Sequence, residues 1–198
     1  MNYLAHAYLS FNDPEILAGN MISDFVKGKR KFDYPATVQK GIQLHRDIDT
    51  FTDAHAATVA LKSFFKPHYR LYSGAFADVV YDHFLANDAD TFESEVDLKI
   101  FTTGCYLQLQ QQVEIFPAVF QQMFPYMIKQ DWLYHYRYKE GIQKSFGGLV
   151  RRAAYLEESD IAFALFNHHY DDMKSCYTAF FPHLKAFTIH QFQHLLNN

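Results

Sequence analysis

Residues 75–85 read Ala-Phe-Ala-Asp-Val-Val-Tyr-Asp-His-Phe-Leu, an apolar run broken by two carboxylates, Asp78 and Asp82, and by His83. A helix of this composition has almost no polar face. Burying an ionised carboxylate without a partner is costly enough that the group normally neutralises instead. Acids in such a run therefore need a cation, a polar partner or a function. The same intrusion of acids and imidazoles into apolar, helix-forming sequence recurs at His6, at Asp24, and from His45 through Asp49 to Asp53. A divalent metal would satisfy all of them together.

The apolar period is helical nearly everywhere, and no Asn-Gly turn joins two alternating runs, so the chain is expected to be all-α. Its 198 residues, 49% hydrophobic and 20% charged, suit one globular domain with its own core. A single-domain helical bundle over 1–198 is expected, with a motif-bearing half at 1–88 and a helical scaffold at 89–198. The first helix begins near Tyr3. Asp13-Pro14-Glu15 supplies an N-cap, a first-turn proline and an acid that favours the dipole of a second helix ending around Gly28. A third runs from Tyr34-Pro35 to Ala54, a fourth over 56–65 and a fifth over 71–87. Further helices are expected at 91–123, 125–140, 142–156, 159–181 and 183–196.

Some classes of function are disfavoured. A formal net charge of −4 argues against nucleic acid as the main partner, because phosphate binding leans on a basic surface. The opening residues lack a basic leader, and no run approaches the roughly 20 apolar residues that span a bilayer, so a soluble cytoplasmic protein is expected. Cys105 and Cys176 have no paired spacing and read as reduced, packed thiols.

Spacing then narrows the site. Residues four apart on a helix share a face, with Cβ atoms about 5–6 Å apart, close enough to hold one ion or two adjacent ones. His45 with Asp49, Asp49 with Asp53, and Asp78 with Asp82 are such pairs. His83 points roughly 100° away from Asp82 and is expected either to ligate from the side of the same cavity or to orient Asp82. Ligands of His and Asp without Cys suit Mn²⁺, Mg²⁺, Fe²⁺ or Zn²⁺ and do not choose among them. Each residue taken singly also has a structural reading: Asp24 as a C-terminal-turn acid, His6 as a satisfied core histidine, Asp53 as a cap.

Four stretches, Met1-Asn2-Tyr3-Leu4-Ala5-His6, Gly19-Asn20-Met21-Ile22-Ser23-Asp24-Phe25, Gly41 through Asp53, and Asp78-Val79-Val80-Tyr81-Asp82-His83-Phe84-Leu85-Ala86, together resemble the acyl carrier protein phosphodiesterase family. A weaker echo follows at Trp132-Leu133 through Tyr138. The family is similar to the HD-type metal-dependent phosphohydrolases, all-helical proteins whose ligands are His and Asp. The resemblance implies hydrolysis of the phosphodiester that joins 4′-phosphopantetheine to a serine of acyl carrier protein, with Mn²⁺ as the favoured ion and Mg²⁺ or Fe²⁺ as substitutes. It implies a metal set drawn from His6, Asp24, His45, Asp49, Asp78 and Asp82, and a catalytic set of Asp24, His45, Arg46, Asp53, Asp82 and His83. His45, Asp82 and Asp24 are the leading ligands. Arg46 is placed to reach a phosphate oxygen from the rim, and His83 or Asp53 to protonate the leaving serine oxygen. His55 lies outside the motif. His168, His169, His190 and His194 read as structural or solvated.

An acidic carrier protein is expected to meet local positive charge, and Lys27, Lys29, Arg30 and Lys31 form the densest basic run. Two other uses of the same residues stay open: an HD-like phosphohydrolase of nucleotides or another small phosphoester, and a non-catalytic metal-binding helical protein.

Overall fold

The computed structural model describes residues 1–197, and among them every regular element is helical. The first, α1 (Tyr3–Tyr8), is short, and the Asn2 side chain accepts the Tyr3 N–H at its start. Asp13 caps α2 (Pro14–Ile22) by accepting the amides of Glu15 and Ile16, with Pro14 in the first turn, as the sequence predicts. The second helix stops six residues short of Gly28. Ser23 turns its hydroxyl to the Ile42 carbonyl, the chain tightens into 3₁₀ turns at Ser23–Phe25 and Gly28–Asp33, and Gly28 adopts a positive φ of 58°.

The long α3 (Ala36–Ala54) lies against α2 at backbone contact. A methyl group on Gly19 would sit 2.2 Å from the Val38 carbonyl oxygen, and one on Gly41 would sit 2.4 Å from that of Ile16. Only hydrogen fits at either position, and this closeness sets how the two helices meet. Next come α4 (Ala56–Tyr69) and the buried α5 (Ser73–Ala86), which packs on α1 and α4.

The second half departs from the expected boundaries. Instead of one helix over 91–123, α6 (Glu95–Gln110) and α7 (Ala118–Lys129) are separated by a turn, and α8 (Trp132–His135) is a single turn before α9 (Lys139–Arg152). Then α10 (Asp160–His168) leads to α11 (Tyr170–Asn197). Pro67, Pro125 and Pro182 all lie inside helices. Each helix forgoes the bond its proline cannot donate because residues on both sides are buried: Phe65 and Tyr69, Phe124 and Met127, Phe181 and Leu184. One continuous core results, rich in Phe and Tyr. No helix among the described residues is long and apolar enough to cross a membrane.

Candidate metal centre

His6 from α1 and His45 from α3 stack face to face, with ring centroids 3.9 Å apart and 13° between planes. Asn20, on α2, orients both. Its side-chain NH₂ donates to the His6 carbonyl oxygen at 2.9 Å and to Ser10 Oγ at 3.1 Å, so its Oδ1, 2.8 Å from His6 Nδ1, can only accept. The Asn20 backbone carbonyl lies 2.8 Å from His45 Nδ1 and imposes the same tautomer. Both rings thus donate from Nδ1 and present Nε2 to the acids. The backbone contact at Gly19 and Gly41 is what brings Asn20 this close to α3.

Those two Nε2 atoms meet Asp49, one turn beyond His45. His6 Nε2 lies 3.3 Å from Asp49 Oδ1, and His45 Nε2 lies 3.1 Å from Asp49 Oδ2 and 3.2 Å from Asp24 Oδ1. One donor atom from each of His6, His45 and Asp49 falls within 4.8 Å of the others, an arrangement that can hold a metal ion. His6 Nε2 is buried and makes no hydrogen bond. A nitrogen lone pair aimed at a carboxylate oxygen is repulsive unless a cation lies with them, so the donor set fits a divalent ion.

Protons stand in for that ion in the metal-free protein. Burial disfavours a charged His45, but hydrogen bonds and charges from Asp24 and Asp49 outweigh it and raise the imidazole to about 9. Burial and the neighbouring His45 lower His6 to about 4. The stack therefore carries one positive charge at neutral pH, on His45. Asp49 resists burial and stays far below the usual carboxylate range, held there by the Met1 ammonium, His45 and His6. Asp24 is depressed by its bond to His45 and is 69% exposed, which makes it the open side of the centre.

The Met1 α-amino group extends the cluster, 3.2 Å from Asp49 Oδ1 and 3.0 Å from Asp78 Oδ1. Burial opposes its charge, yet Asp78 and Asp49 hold it at about 11. Asp78 is raised by burial, against the pull of this ammonium.

Four of the expected residues lie elsewhere. Asp82 is fully buried, and its two oxygens accept the N–H groups of Asn2, Leu4 and Ala5 at 3.3, 2.7 and 3.3 Å. It caps α1 and meets that helix's orphan amides and positive dipole end. Burial pushes it to about 7 against those three bonds. His83 points away from Asp82 and bonds the Tyr136 carbonyl and the Tyr170 hydroxyl, at 2.8 and 2.9 Å, so it faces the end of α8 and the start of α11. Asp53 turns outward to Lys62 at 2.5 Å, and Arg46 donates to the Val26 carbonyl at 2.8 Å and ties the 3₁₀ turns to α3. Sequence reasoning missed Asn20 as an orienting group, although it stands inside a recognised motif.

Together these features define an all-α protein in which two buried imidazoles and the half-buried Asp49 form a cluster that can hold a cation and opens on Asp24. The acyl carrier protein phosphodiesterase family profile matches residues 1–184, and the chain belongs to that family. Proteins named acyl carrier protein phosphodiesterase from Photorhabdus laumondii and Klebsiella pneumoniae are 29% and 30% identical over 184 residues. Those alignments cover 93% of this chain and 93% and 95% of the relatives. One from Yersinia pestis is 30% identical, over 92% of this chain and 94% of its own. No solved structure matches.

Proposed function

We propose that this protein is a metal-dependent phosphodiesterase that releases 4′-phosphopantetheine from the serine of holo acyl carrier protein, leaving the apo carrier. The single observation that carries the metal requirement is the pair of Nε2 atoms facing Asp49, one of them with no hydrogen-bond partner. Family membership carries the substrate. His6, His45 and Asp49 hold the ion, with Asp24 and Asp78 at its margin. When bound, a divalent ion, Mn²⁺ by preference, polarises the phosphate oxygens and lowers the pKa of water.

The chain's own residues do the rest. Asn20 fixes both imidazoles so that neither must reorient. Asp24, ionised and on the open side, is placed to take a proton from the attacking water. As that water's oxygen bonds to phosphorus, the bond from phosphorus to the serine oxygen breaks, and the carrier's serine leaves with the proton that Asp24 has taken from the water. The exposed Lys27, Lys29 and Arg30, close in sequence to Asp24, offer an acidic carrier protein positive charge near the opening.

The test is the mass of holo acyl carrier protein after incubation with Mn²⁺ or with a chelator, beside cyclic and linear nucleotide diesters as competing substrates. Mn²⁺-dependent loss of the prosthetic group from the carrier, absent in His45→Ala, is the expected result. Turnover of nucleotide diesters with an intact carrier would overturn the carrier assignment, and no turnover of any phosphoester would favour a purely metal-binding role.

A further inference from the structure

A cavity of about 340 Å³ opens beside the centre, and Met1, Asp24 and Asp78 are among its lining residues. Tyr72, Ala75, Leu149 and Leu156 add apolar surface to the same lining, and Arg152 a positive charge. A folded carrier protein cannot enter a space of this size. A slender, largely uncharged chain ending in a phosphate can, and that is the chemistry of a phosphopantetheine arm.

Charge gives the direction. The centre end of the cavity is acidic, through Asp24 and Asp78, and without further cations it would repel an anion. Arg152 is the only arginine or lysine on the lining. It stands in the last turn of α9, where a cation also suits the helix dipole. Its charge, however, acts on the phenols of Tyr3 and Tyr136, and no carboxylate among the described residues pairs with it. A guanidinium free of carboxylates beside an acidic metal centre is suited to a phosphate oxygen, which it can meet with paired donors.

We infer that this cleft receives the 4′-phosphopantetheine arm, with Arg152 holding the phosphate against the centre and the wall of Tyr72, Ala75, Leu149 and Leu156 contacting the pantetheine chain. The inference rests on the phosphodiesterase reading above and adds to it the residues that select the leaving arm. Arg152 acts by binding substrate at the phosphate, and the apolar wall acts by excluding shorter or bulkier diesters.

Calorimetric titration of the wild-type protein with 4′-phosphopantetheine, pantetheine and inorganic phosphate tests it, alongside cleavage of holo carrier protein. Wild type should bind 4′-phosphopantetheine at least tenfold tighter than either fragment. Arg152→Ala should weaken 4′-phosphopantetheine about tenfold or more, the scale of a lost charge-assisted hydrogen-bond pair, with Arg152→Lys recovering part of it and pantetheine affected little. Ala75→Trp, on a half-buried helix position that fills the cleft without disturbing the core, should weaken 4′-phosphopantetheine and pantetheine more than phosphate. Equal affinities in wild type, Arg152→Ala and Ala75→Trp, in a protein that cleaves the carrier, would overturn the cleft assignment and leave the phosphodiesterase reading standing. The predicted binding pattern in a protein that leaves the carrier intact would overturn the phosphodiesterase reading and keep the cleft.

Discussion

Loading the metal-free protein with Mn²⁺ should eject about one proton, and that proton should come from His45. Ligation needs a neutral imidazole with a free Nε2. In the metal-free protein Asp24 and Asp49 keep His45 protonated up to about pH 9, whereas His6 is already neutral and Asp49 already ionised. At pH 7.5 the ion therefore competes with one proton. Its apparent affinity should rise about tenfold per pH unit, or 1.36 kcal/mol, up to about pH 9, and level off above. Titration calorimetry in buffers of differing ionisation enthalpy counts the protons as the slope of observed against buffer enthalpy. Asp24→Asn removes a hydrogen bond that raises His45, so it should shift the plateau to lower pH. A slope near zero at pH 7.5, or an affinity flat between pH 7 and 9, would refute this account of the centre.

Other perturbations separate structure from function. Gly41→Ala drives a methyl group to 2.4 Å from the Ile16 carbonyl oxygen and should cost at least ~1–3 kcal/mol, read as a melting temperature lower by roughly 2–4 °C per kcal/mol. An unchanged melt would mean that α2 and α3 do not meet this closely. Asp82→Ala leaves three amides at the start of α1 without their acceptor and should destabilise by ~3 kcal/mol or more, while metal stoichiometry of the folded fraction stays at the wild-type value. Loss of metal without loss of stability would return Asp82 to the ligands. In the metal-free protein the stabilisation from His45 is complete below about pH 6.5 and lost as pH rises through about 9, because its folded value is raised. His6 has the opposite sign: its contribution is present above about pH 6.5 and lost as pH falls through about 4. Denaturant melts across pH should show both limbs, and His6→Gln should remove the acidic contribution of that residue.

Where the information was local, the sequence was a sufficient guide. The cap of α2 is contained in Asp13-Pro14-Glu15, and the His45–Asp49 pair follows from one turn of helix. The pairing of His6 and Asp24 with them rested on family motifs, since neither shares their helix. What could not be read is tertiary. Asp82 and Asp78 share a face at four-residue spacing, but no spacing says that the amino end of α1 will stand on Asp82 and use both of its oxygens. Asp53 continues the row of Asp49 by one turn, and there the surface begins and Lys62 claims it. Helix boundaries near Pro67, Pro125 and Pro182 were misplaced because burial of the flanking residues outweighs one missing hydrogen bond. The 3₁₀ turns after α2, which aim Asp24 at His45, depend on a bond from Ser23 to a helix that follows later in the chain.

The central claim is that His6, His45 and Asp49 hold the ion that the reaction requires. A crystal grown with Mn²⁺, with anomalous scattering recorded at the manganese edge, tests it most directly. The account predicts a peak bounded by Nε2 of His6, Nε2 of His45 and a carboxylate oxygen of Asp49. A peak held by Asp78 and Asp82 with both imidazoles bare would contradict it.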